Sequence, residues 1–273
     1  MSAEAVTVGG AAYGGHNLAA AVDAICAPAA AAIAEVYARL AEVRAATKPD
    51  GSAVTEADLR ANRLLTDGLR RAFADWPVVS EEDPGSHARP TTGPYWLVDP
   101  LDGTREFLAG TGEFCVCVGL VEAGAPVFGY VLAPATGQRY YAWRGAGGAF
   151  AKTSATAPAR RLPRRAPLDR GTPGLRIGVS RHHRDAAADA FLAGLNAPVP
   201  VPMGSALKFC AVAAGELDGY VRPGPTMHWD TAAGQCIAEA VGAGVRELAT
   251  GARLRYDTPT RRNPGFAVVL SAS

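Results

Sequence analysis

The stretch Trp96-Leu97-Val98-Asp99-Pro100-Leu101-Asp102-Gly103-Thr104 decides how the rest of the chain is interpreted. An apolar run delivers Asp99 and Asp102, which lie three residues apart on a predicted turn and can face one point. Gly103 and Thr104 then open a predicted helix, whose N-terminus would offer free N–H groups to a phosphate. Carboxylates alone would repel a phosphate, so a divalent cation has to lie between them, and oxygen ligands suit Mg²⁺.

Four acidic segments of the chain also have purely structural explanations. Asp-Pro-x-Asp-Gly is a common turn sequence. Ser80-Glu81-Glu82-Asp83 would serve as a solvated loop after the short apolar strand at Trp76–Val79. Thr55 and Asp58 would serve as the N-cap and first-turn acid of a helix. Asp230 would cap the Ala-rich helix that follows it. Each segment alone leaves these alternatives open.

In combination and in this order, the four segments resemble the inositol monophosphatase family of Mg²⁺-dependent, lithium-sensitive phosphatases. The matching motifs are the Thr-x-x-Asp of Thr55 to Asp58, the pair Glu81-Glu82, the string from Asp99 to Thr104, and Trp229-Asp230-x-Ala-Ala-Gly234. The resemblance extends from Lys48 to Gly244 and leaves out the Ala/Gly-rich first twenty residues.

The resemblance implies a set of metal ligands. One ion would be held by Glu81, Asp99 and the backbone carbonyl of Leu101, and a second by Asp99, Asp102 and Asp230. A third, weaker ion would share Glu81, which makes Glu81 catalytic as well as metal-binding. The expected cofactor is therefore two or three Mg²⁺ ions, which make bound water acidic enough to react near neutral pH.

The resemblance also implies how phosphate and water are held. Gly103 and Thr104 would present backbone N–H groups to the phosphate. Thr104 would contact the attacking water, and Asp58 would orient the Thr104 hydroxyl group.

Further segments are similar to one branch of this family, the 3′(2′),5′-bisphosphate nucleotidases, which take the 3′-phosphate from adenosine 3′,5′-bisphosphate, a by-product of sulfate assimilation. These segments are Asp102–Phe107, Gly112–Phe114, Ser180–His183, Gly204–Cys210 and Gly224–Met227. The substrate contacts expected from them are Gly103, Thr104, Ser180, His183, Ser205, Lys208 and Arg222.

Two of these residues, Lys208 and Arg222, are cations available for a second phosphate group, although each would also be explained as a solvated surface residue. Two positions depart from the branch. Arg105 stands where lysine is common, and His228 stands where an acid is common before Trp229. Neither departure removes an expected metal ligand.

Other functions remain in competition. Inositol monophosphate, histidinol phosphate and fructose 1,6-bisphosphate are alternative substrates within the phosphatases. A non-catalytic ligand-binding homologue would be expected to lose a carboxylate or the Thr104–Asp58 pair, and this sequence keeps them all. The predicted partner is thus a small phosphate ester, and a homodimer is left open.

Composition excludes little beyond this. The formal net charge is +1, from 27 basic and 26 acidic residues, which gives no support for binding to a nucleic-acid polymer or a membrane surface. The basic run Arg160–Arg165 is predicted to be a solvated loop. No stretch is expected to span a bilayer, and no secretion signal is recognised. The five cysteines are odd in number, and their spacing matches no metal knuckle, which favours a reducing cytoplasm. Cys115 and Cys117 are predicted to be buried on one face of a strand.

The apolar patterns predict a mixed α+β and α/β chain. Predicted helices span residues 17–46, 56–73, 185–195, 205–215 and 231–241. Predicted strands span residues 94–98, 114–122, 127–134, 140–143, 175–180, 219–222 and 266–270. By resemblance, the fold is a layered α-β-α-β-α sandwich of the sugar-phosphatase type. Its first half, residues 1–158, would carry most metal ligands, and its second half, residues 159–273, would complete the site.

Overall fold

A computed structural model describes residues 5–49, 51–88, 92–181, 186–258 and 260–270. The α-helices in these ranges are α1 Gly15–Ala38, α2 Glu56–Ala72, α3 Pro84–His87, α4 Thr104–Leu108, α5 Ala186–Ala193, α6 Leu207–Ala214 and α7 His228–Ala240. In chain order, the strands as far as Pro163 are β1 Ala5–Val8, β2 Ala11–Gly14, β3 Ala46–Thr47, β4 Ala53–Val54, β5 Val78–Ser80, β6 Tyr95–Asp102, β7 Cys115–Glu122, β8 Ala125–Ala133, β9 Gln138–Trp143, β10 Gly148–Lys152 and β11 Arg160–Pro163. Those that follow are β12 Arg176–Val179, β13 Val199–Pro202, β14 Gly219–Arg222, β15 Thr226–Met227, β16 Gly244–Glu247, β17 Arg262–Asn263 and β18 Phe266–Val269.

Two sheets dominate the architecture. The larger has seven strands in the order β11-β10-β9-β8-β7-β6-β5, and its pairs are antiparallel except for β5 with β6. The smaller has five strands in the order β13-β12-β14-β18-β16, with β12 parallel to both of its neighbours. The chain leaves the larger sheet after Pro163.

Alternating side chains of β6 show how the layers stack, because successive strand residues point to opposite faces. Trp96 and Val98 pack in one core cluster with α1 and α2, whereas Leu97 packs in another with α6 and α7. The second cluster also includes one face of the five-stranded sheet, and Leu192 of α5 packs against its other face. The predicted α-β-α-β-α sandwich is therefore confirmed.

Helix α7 lies directly on the seven-stranded sheet. A Cβ atom placed on Gly119 would be 2.9 Å from the Cβ of Ala232, and one on Gly129 would be 2.3 Å from the carbonyl oxygen of Ala233. Any side chain larger than hydrogen at these positions would push the helix away. The two glycines thus fix where the first turn of α7, with Asp230, meets the end of β6.

Several predicted boundaries were wrong. The helix predicted for residues 17–46 ends at Ala38 and gives way to a short 3₁₀ turn at Leu40–Glu42. The basic run predicted as a solvated loop begins with strand β11, whose Leu162 is buried, and Arg165 then donates to the carbonyl oxygens of Val212 and Leu217. Edge strands commonly carry charged residues. The arginines of β11 therefore hide the apolar pattern that would identify it as a strand.

The expectation that no stretch is apolar enough to span a bilayer was wrong for α1. By length and composition alone, this helix of 24 residues would suffice, because it contains an apolar window of 18 residues with a mean hydropathy of 1.6. In the fold, 44% of the apolar window is buried, and Val22, Cys26 and Ile33 pack in the core shared with α2. The high hydropathy of α1 therefore comes from its many alanines together with the side chains that it contributes to the core.

Candidate metal and phosphate site

The site forms where strand β6 becomes irregular. The strand continues through the stretch predicted as a turn, but its register against β7 shifts between Asp99, opposite Cys117, and Asp102, opposite Cys115. The Leu101 N–H donates to Asp99 Oδ1 at 2.9 Å and holds that carboxylate. This β-bulge re-aims side chains at the strand end, as bulges beside functional sites commonly do.

Gly103 follows in the left-handed region, with a φ of 95°. A Cβ atom there would also lie 3.0 Å from the carbonyl oxygen of Glu113 and 3.2 Å from the Cβ of Ser205. Only glycine is unstrained at this position, because other residues meet both a backbone penalty and a close contact. It lets the chain turn sharply into Thr104, and both residues line the cavities described below.

Three carboxylates converge beside this turn. Glu81 follows β5, Asp99 lies in β6 and Asp230 lies in the first turn of α7, and one oxygen from each lies within 4.8 Å of the others. Burial, followed by repulsion from the neighbouring carboxylates, raises the pKa of Asp99 and of Asp230 well above the usual range. Buried like charges are unfavourable unless a cation compensates them. An all-oxygen, multiply negative set of this kind fits a hard divalent cation such as Mg²⁺.

Asp102 is not a member of this trio and has different neighbours. Burial raises its pKa to about 6, and the Lys208 ammonium opposes that rise. Its Oδ2 accepts a hydrogen bond from the Ala206 N–H and lies 3.8 Å from Cys115 Sγ. Asp102 lines both cavities together with Asp230, so its role toward a second metal stays a prediction.

The predicted carbonyl ligand, Leu101, lines the larger cavity. Its carbonyl oxygen lies 3.3 Å from Thr104 Oγ1. This contact keeps Leu101 and Thr104 in one turn, and the expected coordination of a metal by the Leu101 carbonyl also stays a prediction.

Asp58 makes hydrogen bonds to both the start of α2 and Thr104. Its Oδ2 accepts hydrogen bonds from the Thr55 N–H at 2.8 Å and the Thr55 hydroxyl at 2.7 Å, which closes a capping box at the start of α2. Its Oδ1 accepts from Thr104 Oγ1 at 3.1 Å. The carboxylate is 1% exposed, so its two oxygens are held in fixed directions.

We expect Asp58→Asn to lower turnover strongly while Mg²⁺ affinity stays nearly unchanged, because the variant loses the acceptor that orients Thr104 but no carboxylate of the trio. Loss of the capping box should also cost about 1 kcal/mol of stability. Turnover, metal affinity by calorimetry and the melting temperature check this. Thr55→Ala is the matched control, since it removes the cap hydroxyl but not the Thr104 contact, and it should lose stability with a far smaller loss of turnover. Equal losses of metal binding in Asp58→Asn and Asp99→Asn would contradict the assignment.

Lys48 is a site residue that sequence reasoning missed. It follows β3, and its ammonium group pairs with the carboxylates of Glu81 and Glu82. Burial alone would lower the pKa of Lys48, but the two glutamates hold it above the usual range. The available signal was its place at the head of the segment that carries Thr55 and Asp58. Its charge offsets part of the acidic cluster.

Two adjoining cavities meet at these residues. The walls that they share include Glu81, Asp102, Gly103, Thr104 and Asp230. The metal cavity, of about 750 Å³, adds Asp99 and Leu101. The basic cavity, of about 200 Å³, adds Ser180, Ser205, Lys208 and Arg222. The structure thus brings the predicted metal and substrate residues together, apart from His183, which lies outside the described residues.

The two predicted phosphate-binding cations differ in their surroundings. Lys208 is 4% exposed, and its ammonium donates to the carbonyl oxygens of Met203 at 3.0 Å and Ser205 at 2.7 Å. Burial lowers its pKa to about 8. The buried Nε of Arg222 has no hydrogen-bond partner among the described residues, and one terminal nitrogen lies 3.5 Å from the Pro225 carbonyl oxygen. A buried donor without an acceptor is unfavourable until an anion supplies one.

The two departures from the family branch lie in different places. Arg105 is exposed and lines both cavities. His228 is buried beside Tyr256, and its Nε2 lies 2.9 Å from Thr258 Oγ1. Burial lowers its pKa to about 4, so it is neutral at physiological pH. It is absent from the described walls of both cavities.

The chain is similar to proteins of known identity over most of its length. It is 41% identical over 242 residues to the 3′(2′),5′-bisphosphate nucleotidase CysQ of Salmonella typhimurium, which covers 88% of this chain and 94% of the relative. The CysQ of Escherichia coli strain K12 is 40% identical with the same coverage. The crystal structure of CysQ from Bacteroides thetaiotaomicron, described as a bacterial member of the inositol monophosphatase family, superposes with a TM-score of 0.78 at 30% identity and covers 96% of this chain and 99% of that one.

The family assignment rests on the same span of residues. The model of the inositol monophosphatase family matches residues 16–265, which include every carboxylate of the site and both layers that carry them. The resemblance seen in the four acidic segments is thereby confirmed, and this chain belongs to the inositol monophosphatase family.

Proposed function

We propose that this protein is a Mg²⁺-dependent phosphomonoesterase that removes the 3′-phosphate of adenosine 3′,5′-bisphosphate to give AMP. The observation that carries the proposal is the junction of two cavities. One holds the carboxylate trio, and the other places the unpaired Arg222 donor beside it. The named nucleotidase relatives support the same substrate.

The ligands proposed for the metal are Glu81, Asp99 and Asp230, with Asp102 and the carbonyl of Leu101 adjoining them. When bound, divalent ions would supply Lewis acidity toward the phosphate and lower the pKa of a water molecule. Two or three ions would also neutralise carboxylates that are otherwise buried against one another.

Protein groups then position the reacting atoms. Gly103 and Thr104 line both cavities, and their N–H groups would hold phosphate oxygens there. The Thr104 hydroxyl, oriented by Asp58, would direct a lone pair toward the water that attacks phosphorus. No histidine in the described part of the chain lines either cavity, so proton removal from this water would fall to the Thr104–Asp58 pair and the carboxylates.

The basic cavity explains the preference for a bisphosphate. Arg222 would bind the second phosphate group, with Ser180, Ser205 and Lys208 around it and His183 as a further predicted contact. Two of the three Lys208 protons already serve backbone carbonyls, which leaves one for the substrate. An inositol monophosphate has no second phosphate for these groups. We place the reaction in the cytoplasm, in sulfate assimilation.

We expect hydrolysis to require Mg²⁺ and to be inhibited by lithium. The trio offers only oxygen ligands, and removing the cation restores repulsion among buried carboxylates as well as abolishing the chemistry. Phosphate release with Mg²⁺, with excess chelator and with added LiCl checks this, and NaCl at equal concentration controls for ionic strength. Full activity in excess chelator would exclude the metal mechanism. Loss of activity in chelator without any response to lithium would exclude only the lithium-sensitive behaviour.

A further inference from the structure

Two cysteines form a second cluster of metal-binding atoms beneath the carboxylates. Cys115 and Cys117 are fully buried on one face of β7, and their Sγ atoms lie 3.7 Å apart. Asp102 Oδ2 lies 3.8 Å from Cys115 Sγ, and the three ligand atoms lie within 4.8 Å of one another. The phosphatase mechanism uses neither thiol.

These separations match those around a tetrahedral thiolate-bound ion. Two sulfur atoms bound to one Zn²⁺ at about 2.3 Å are roughly 3.8 Å apart, and a sulfur and an oxygen ligand are roughly 3.6 Å apart. Cys115 Sγ therefore already lies at ligand spacing from both Cys117 Sγ and Asp102 Oδ2. Asp102 lines both cavities and contacts Cys115, so its carboxylate lies between the cavities and the buried thiols.

The local charge also balances. Two thiolates and one carboxylate carry three negative charges, one more than a divalent ion neutralises. The buried Lys208 ammonium interacts with both Asp102 and Cys115 and supplies the remaining positive charge. Soft sulfur ligands select Zn²⁺ and similar thiophilic ions over Mg²⁺, which prefers the all-oxygen trio next to them.

We propose that Asp102, Cys115 and Cys117 form a binding site for a thiophilic divalent cation, with Asp102 as the residue shared with the Mg²⁺ site. Binding breaks two S–H bonds, forms two metal–sulfur bonds and releases two protons to solvent, with no change of oxidation state. The bound ion holds Asp102 in the thiol cluster and thereby inhibits hydrolysis. This inhibition, but not the binding, rests on the proposed function.

Cadmium is a suitable probe, because thiolate ligation gives a charge-transfer absorption in the ultraviolet. Fully reduced protein is titrated with Cd²⁺ in the presence of Mg²⁺. We expect one thiolate-bound Cd²⁺ per chain in the wild type. Substitution of residues that only support metal ligands weakens metal binding by up to about a hundredfold. Removal of a ligand should cost at least as much, so Cys115→Ala and Cys117→Ala should each weaken Cd²⁺ binding by at least about a hundredfold. Cys26→Ala, which removes a buried thiol from α1, should leave it unchanged.

Absorption in Cys117→Ala equal to that of the wild type would overturn the proposal. X-ray absorption at the cadmium edge of the wild-type protein gives a test that needs no variant: two sulfur ligands are expected, and none or one would overturn it. Two sulfur ligands without inhibition of phosphate release would refute only the shared role of Asp102. A protein that binds Cd²⁺ in this way but releases no phosphate from any ester would refute the proposed function instead.

Discussion

Asp99→Asn is expected to lower turnover by on the order of a thousandfold or more. Asp99 belongs to the trio and is 2% exposed, and it is the carboxylate expected to bridge two metal ions, so its loss should weaken the binding of both. Loss of metal stabilisation worth several kcal/mol corresponds to a thousandfold at about 1.4 kcal/mol per factor of ten. Phosphate release under saturating Mg²⁺, together with metal affinity by calorimetry, measures the effect.

The same substitution should stabilise the protein when no metal is present. Burial and neighbouring carboxylates raise the pKa of Asp99, so its ionised form opposes folding above the pKa of an unfolded aspartate. An amide removes that cost, and Asp99→Asn in chelator should melt at or above the wild-type temperature at neutral pH. Asp67→Asn, on the exposed face of α2, is the matched control and should change neither property. An inactive Asp99→Asn that melts far below the wild type would mean that Asp99 is needed for folding.

Arg222→Ala is expected to lower the specificity constant for adenosine 3′,5′-bisphosphate by tenfold to a hundredfold while sparing inositol 1-phosphate. A charge-assisted contact to the second phosphate contributes on the order of 1.5–3 kcal/mol, which corresponds to that range of rate at about 1.4 kcal/mol per factor of ten. The buried Nε of Arg222 has no other acceptor among the described residues. Initial rates with both substrates give the comparison.

Two variants sharpen this experiment. Arg222→Lys keeps the charge but not the planar guanidinium group, so it should recover part of the loss. Lys208→Ala removes the ammonium that holds the carbonyl oxygens of Met203 and Ser205, and Ser205 itself has a φ of 52°. It should therefore slow both substrates. Equal slowing of both substrates by Arg222→Ala would make Arg222 structural, and a wild type that prefers inositol 1-phosphate would refute the nucleotidase assignment but not the metal chemistry.

Local chemistry explains why the converging carboxylates could be singled out from sequence. Asp99 and Asp230 each stand beside a strong local signal, a strand end and a helix start, and their motifs carry the family resemblance that the comparisons confirm. The fold's layers could be predicted for the same reason. Buried strands such as β7 and β8 are apolar over nearly their whole length, and helix α2 has a clear amphipathic pattern.

Relations between distant residues could not be predicted in this way. The pairing of Lys48 with Glu81, and the capture of Lys208 by backbone carbonyls, depend on how loops fold back in three dimensions. Strand β11 was missed because arginines obscure its pattern, and α1 was predicted too long because alanine continues to favour helix after Ala38. Asp58 was predicted either to help cap a helix or to position a catalytic group. The structure shows the capping box together with a hydrogen bond from Thr104, and the role in catalysis stays a prediction.

The placement of Asp230 has a consequence for how the protein matures. The other two carboxylates of the trio lie in or beside the seven-stranded sheet. Asp230 lies in α7 and is synthesised much later. A nascent chain that has made only the first sheet holds an incomplete set of ligands, so it gains little from cellular Mg²⁺. An ion held by the trio would stabilise only the state in which α7 has docked on its two glycines. Metal binding would then report on completed tertiary assembly, and the acidic cluster that opposes folding would become a source of stability at the last step.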